Sequence, residues 1–177
     1  MSNPRVHPVQ EPEPLDVGKT DGYVWVRVKG KGSFVTSPPL KGFVERRMEG
    51  GETRFVVDLA DCPAMDSTFM GTLAGLAIRL SKLTDGRLEL NDVCERNRKS
   101  LEDLGLDALL EIDPADSEWR EHVDEVRGSL EPLPDEAEAS DAAHVLDAHR
   151  KLCEASDENV KKFSTVLDML ERRAVGE

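Results

Sequence analysis

The chain has 177 residues, a net charge of −13, 38% hydrophobic and 5% aromatic residues. Its length suits one ordinary domain with tails, or one domain plus a short accessory element. The acidity disfavours nucleic acid as a direct partner, the few aromatics argue against base-stacking platforms, and no segment approaches the roughly 20 consecutive apolar residues of a membrane helix.

Residues 1–20 are rich in Pro and Glu and have no apolar signal core. They read as a flexible leader and not as a targeting peptide, so a soluble cytoplasmic protein is expected. Tyr23–Val28 (YVWVRV) alternates and is β-branched or aromatic, the pattern of a strand. Lys29–Ser33 is a turn-rich break, and Phe34–Val35 is a candidate start of a second short strand. Ser37 stands as an N-cap before Pro38 and Pro39. Leu40, Phe43, Val44 and Met48 then keep helical spacing as far as Gly50–Gly51. Arg54–Leu59 (RFVVDL) has the continuous apolar centre of a buried strand, and residues 60–65 form a loop. Thr68–Leu83 is a long helix, apolar over much of its circumference. Gly71 and Gly75, four apart, leave one face of it bare for close approach to a sheet. Arg87–Leu90 alternates as a strand. Glu95–Leu104 is an amphipathic helix, with Asp92 as its candidate N-cap and Gly105 at its C-terminal cap. Leu109–Ile112 is a candidate last strand. Strands alternating with helices predict an α/β fold over residues 21–113, a largely parallel sheet of four to five strands covered by helices.

Beyond Pro114 the character changes. Residues 114–139 form an acidic connector. Twelve acidic side chains lie between Glu111 and Asp141, opposed only by Arg120 and Arg127. Ser117–Arg127 is compatible with a short polar helix, and the Pro- and acid-rich remainder reads as a linker. Ser140 or Asp141 caps a final amphipathic helix over 140–173, with Val145, Ala148, Leu152, Ala155, Asn159, Phe163, Val166 and Leu170 in one stripe. That stripe either packs back on the domain or joins another chain, with Asn159 at a register-setting position. Cys62, Cys94 and Cys153 are too widely spaced for a disulfide framework or a metal clip, and no histidine has ligand spacing with them. No metal and no cofactor are expected.

The chemistry is concentrated in Val56–Gly75, where a buried strand ends, a loop turns, and Asp66-Ser67-Thr68 opens an apolar helix. These residue types serve as ordinary N-caps, worth around 1 kcal/mol each. The same geometry also suits a modified hydroxyl, because a helix N-terminus has unpaired N–H groups and a positive dipole end that favours phosphate. Phosphorylation adds about −1.5 to −2 charges at one surface point, which a partner surface packed against a neutral serine would reject. No Gly-x-Ser-x-Gly elbow surrounds Ser67, and a Ser/His mechanism would have to borrow His122, His144 or His149 from the tail, so an enzyme is not expected.

The stretch VVDLADCPAMDSTFMGTL resembles the STAS domain of bacterial anti-sigma factor antagonists. Asp58 and Leu59 match the strand end, Asp66 and Ser67 the Asp-Ser pair, Thr68 the next small hydroxyl, Met70 an apolar position and Gly71 a glycine. LEDLGLDALLEI is similar to the family's later helix ending, and the resemblance covers about residues 20–113. It implies a STAS-like sheet and a reversible switch. A cognate anti-sigma factor with serine-kinase activity would phosphorylate Ser67, with Thr68 the lesser acceptor, and a PP2C-type phosphatase would reverse it. The unphosphorylated form would bind the anti-sigma factor through Asp66, Ser67, Thr68, Phe69 and Met70, freeing a sigma factor. Phe69 stands where a glycine is usual, KGKGSFVTSP replaces a Gly-x-Leu-Asp-like strand end that contacts the kinase, and the C-terminal extension is additional. The alternative is a STAS scaffold or oligomerisation subunit without a switch, self-associating through the final helix.

Overall fold

The structure, a computed structural model, describes residues 14–134 and 142–175. Its strands are β1 (Leu15–Thr20), β2 (Tyr23–Lys29), β3 (Arg54–Asp61), β4 (Arg87–Asn91), β5 (Glu111–Ile112) and β6 (Glu131–Pro132). Its helices are α1 (Ser37–Glu49), α2 (Ser67–Ser81), α3 (Glu95–Asp103), α4 (Val123–Ser129), α5 (Ala142–Ala155) and α6 (Asp157–Ala174). The strands form one mixed sheet in the order β5-β4-β3-β2-β1-β6. β2 to β5 run parallel, and β1 is antiparallel to both β2 and β6.

The α/β architecture with a C-terminal helical extension is as expected, and the sheet has six strands because β1 adds beside β2 and the short β6 adds beside β1. Leu15–Thr20 is not part of a leader. It pairs with β2 through a two-residue turn at Asp21 and Gly22, both with positive φ (39° and 88°). Asp-Gly favours that turn because both positions must enter the left-handed region. Residues 1–13 of the expected leader lie outside the described residues. Phe34–Val35 is a turn and not a strand. An isolated β-bridge, Gly32 to Met65, pairs this loop with the one after β3. Ser37 lies inside α1, whose N-cap is Thr36, and Asp92 does not cap α3, whose N-cap is Cys94.

One sheet face buries Val24, Val26, Phe55, Val57, Leu59 and Leu90 against Leu40 and Val44 of α1, Phe69, Leu73 and Leu80 of α2, and Leu101 of α3. The continuous apolar run of β3 needs burial on both faces, and the connector supplies the second. Tyr23, Trp25 and Val56 pack there with Trp119 and Val126. The two indoles meet edge to face, 5.3 Å apart at an interplanar angle of 81°. Asp58, fully buried, receives both Nε (2.7 Å) and Nη2 (3.0 Å) of Arg127, which also contacts Asp92. The Asp58 hydrogen bond keeps the Arg127 guanidinium above even its ordinary basicity. The acidic stretch is therefore anchored to the sheet through Trp119, Val126 and Arg127.

The expected single helix over 140–173 is two helices, broken at Ser156, whose backbone is extended (φ −158°, ψ 137°). Its expected caps, Ser140 and Asp141, lie outside the described residues, as do residues 135–139 of the expected linker. Among the described residues no helix is long and apolar enough to cross a membrane.

Candidate functional site

The loops leaving the C-terminal ends of β2 and β3 run side by side. Gly32 donates its N–H to the Ala64 carbonyl (2.9 Å) and accepts from the Asp66 N–H (2.8 Å). Asp66, in extended conformation, caps α2. One carboxylate oxygen accepts from the Phe69 N–H and the other from the Phe34 N–H, both at 2.8 Å. This satisfies one of the unpaired donors at the helix start and ties the first loop to the second. Both Asp66 oxygens are thus engaged within the chain.

Ser67 is the first residue of α2 and is half-buried. Its hydroxyl is not free of the rest of the chain: Ser67 Oγ lies 2.9 Å from Nε2 of His149 on α5. Nδ1 of the same ring lies 2.8 Å from the Val145 carbonyl. A carbonyl can only accept, so Nδ1 carries a hydrogen; in that tautomer Nε2 is the acceptor for the Ser67 hydroxyl hydrogen. The ring is buried and packs edge to face on Phe163 of α6, with 5.4 Å between centroids.

The other expected contact residues do not form an exposed patch. Thr68, Phe69 and Met70 are all buried. Phe69 points inward, and a Cβ on Gly32 would stand 2.8 Å from its ring. The substituted Phe69 and the glycine-rich loop are therefore two sides of one packing contact. Phe34 and Val35, exposed beside Asp66, are the apolar side chains this end presents to solvent.

α5 crosses α2 at the glycine pair. A Cβ on Gly71 would meet the Ala148 carbonyl oxygen at 2.1 Å, and one on Gly75 the Lys151 side chain at 3.0 Å. The bare face of α2 thus admits a helix and not the sheet. Leu146, Ala148, His149 and Leu152 are the buried residues of α5. Asn159 donates to the carbonyls of Leu104 (2.9 Å) and Leu152 (2.7 Å), and Lys162 donates to that of Asp103 (2.8 Å). The polar position in the stripe thus serves an intrachain anchor. The sequence offered His149 only as one of three tail histidines that a Ser/His pairing would have to borrow, and nothing in it placed that ring beside Ser67. The spacing of His149 from Val145 and Leu152 put it on the apolar stripe of the last helix, but spacing does not say what that stripe covers.

Cys62 is buried, Cys153 half-buried and Cys94 exposed, all three as free thiols. Burial pushes the Cys62 and Cys153 thiols above their ordinary pKa.

A mixed sheet with a hydroxyl at the start of its second helix, beside two stitched loops, is the frame of a small α/β module. The STAS domain model matches residues 14–119, and the chain belongs to the STAS domain family. Among solved structures it is similar to a Thermotoga maritima protein described as an anti-sigma factor antagonist, with TM-score 0.54 and 20% identity, covering 64% of this chain and 94% of that one. An anti-sigma factor antagonist from Mycobacterium paratuberculosis gives TM-score 0.51 and 23% identity, covering 64% and 92%. At these identities the likeness is one of fold. No match is found among curated proteins.

Proposed function

We propose that the chain is a regulatory binding module of the anti-sigma factor antagonist type, switched by phosphorylation of Ser67. The observation that supports this most directly is the position of the Ser67 hydroxyl. It sits in the first turn of α2, directly after a capping aspartate, in the segment that carries the family motif. In the switch, Ser67 Oγ forms a bond to the γ-phosphorus of a nucleotide held by the partner kinase. The bond from that phosphorus to the bridging oxygen of the departing nucleoside diphosphate breaks, and the hydroxyl proton passes to a base. A phosphatase reverses the step when water attacks phosphorus and the serine oxygen leaves. The added dianion meets the helix N-terminus favourably, so the domain keeps its fold while its surface gains negative charge. The partner is an anti-sigma factor with kinase activity, which packs against neutral Ser67.

The test uses the host cell. Tagged wild type, Ser67→Ala and Ser67→Asp are purified and their bound proteins identified. Wild type and Ser67→Ala should retain the same anti-sigma partner, and Ser67→Asp should lose it. Equal binding by Ser67→Ala and Ser67→Asp would sink the switch.

A scaffold without a switch is the second reading, favoured by one observation. Val160, Val166 and Met169 of α6 are exposed. A native mass measurement on Val166→Lys/Met169→Lys decides it. If the wild type is oligomeric and the variant monomeric, α6 is an assembly surface; if both are monomeric, that reading falls.

A further inference from the structure

We infer that the α5–α6 helix pair is an intramolecular ligand of the Ser67 face, occupying in cis the groove along α2 and closing Ser67 while it is docked. The inference rests on the reading of Ser67 as the working residue, but its structural content stands on separate observations. His149 Nε2 lies 2.9 Å from Ser67 Oγ, so any group bound to that oxygen needs the space the imidazole holds. The Gly71 position receives the Ala148 carbonyl so closely that even a methyl group would collide at 2.1 Å. A partner reaching the first two turns of α2 on this side meets α5 first.

The seat is specific, yet it is built to be left. On one side it has shape complementarity at Gly71, the buried Leu152, the Asn159 anchor and the Lys41–Asp147 ion pair at 3.3 Å. On the other, the seam between α1, α2 and α5 is incompletely filled. A crevice of about 220 Å³ remains there, lined by Lys41, Glu45, Thr72, Arg79 and Asp147. The buried Asn159 Oδ1 also has no hydrogen-bond partner in the docked state, and an unmet buried acceptor weakens the contact that holds it.

Opening has a direct signature. An isolated helix of this length is marginal in water, so undocked α5 loses its amide protection while the sheet keeps it. Hydrogen exchange on the full chain should show α5 amides (Val145–Leu152) exchanging at least ten-fold faster than β3 amides (Phe55–Leu59). A disulfide between Gly75→Cys and Lys151→Cys locks the pair shut. The Gly75 Cβ position lies 3.7 Å from Lys151 Cβ, inside the disulfide range. The oxidised lock should bring α5 exchange down to the β3 rate, and reduction should restore it. If α5 and β3 exchange at one rate in the unmodified chain, the pair opens only on global unfolding and the inference is overturned.

Access at position 67 is read in Ser67→Cys by iodoacetamide, with the buried Cys62 in the same chain as an internal monitor of unfolding. Adding Ala148→Glu should speed alkylation at position 67 at least ten-fold and leave Cys62 unchanged. Equal rates at position 67 overturn the shielding. Should Cys62 accelerate in step, the chain carrying the disulfide lock replaces Ala148→Glu, and position 67 must then react faster after reduction than before it. Neither readout uses a kinase or partner, so they can fail while Ser67 remains a phosphoacceptor, and they can succeed if it is not one.

Discussion

Phe69 and Gly32 show how one substitution at the helix start propagates to a neighbouring loop. Phe69 is fully buried, and its ring occupies the space a Cβ on Gly32 would need. Gly32→Ala should therefore cost about 1–3 kcal/mol through overpacking, measured by denaturant unfolding. In the Phe69→Leu background the same change should cost clearly less, because the ring it meets is gone, and neighbours in contact couple. Equal costs in both backgrounds would contradict the contact. Phe69 was legible as a departure from the motif, and Lys29–Ser33 as a glycine-rich break. That the two compensate was not, because a pairing across 37 positions leaves no local signal.

At the scale of elements, the decisive contacts join segments distant in sequence. The Asp58–Arg127 pair clamps α4 to the end of β3, with Asp58 fully buried and the Arg127 side chain 20% exposed. Removing the cation strands a buried carboxylate, so Arg127→Ala should lower stability by about 3–5 kcal/mol. Asp58→Asn should cost less, because Arg127 keeps Asp92. The order of the two unfolding midpoints checks this, and the reverse order would contradict it. β3 and α2 were legible because their apolar runs are long and continuous. β1 was not, since Gly18 and two charges interrupt six residues; the Asp21-Gly22 hairpin turn was the signal that marked it. The C-terminal stripe was legible as amphipathic. Its break at Ser156 was not, because the apolar spacing runs on through the interruption.

Across the whole molecule the chain wraps its own sheet. The connector crosses the second face, β6 extends the edge, and α5 returns to the start of α2. Composition concealed this, because an acidic connector looks solvated when a few side chains, Trp119, Val126 and Arg127 foremost, do its packing. The wrap brings acids together as well as apolar groups. Glu111 is raised above the ordinary carboxyl range by partial burial first, then by its hydrogen bond to Glu89 and that group's charge. A carboxyl raised in the folded state favours folding fully below its unfolded pKa, and that contribution is lost as pH rises through the folded value. Glu111 is exposed, so the effect is small and screened. Melting temperatures from pH 4 to pH 7 should show Glu111→Gln gaining on the wild type as pH rises. A gain that shrinks with pH would contradict the direction.

The central claim is that Ser67 is the point at which this surface changes state. Its most direct test is the mass of the peptide Phe55–Arg79, which carries Ser67 and Thr68, in protein isolated from its host with and without its bound partner. A single phosphate, on Ser67, is expected in the unbound fraction and none in the partner-bound fraction. Phosphate at equal occupancy in both fractions, or on Thr68 with Ser67 unmodified, would contradict it.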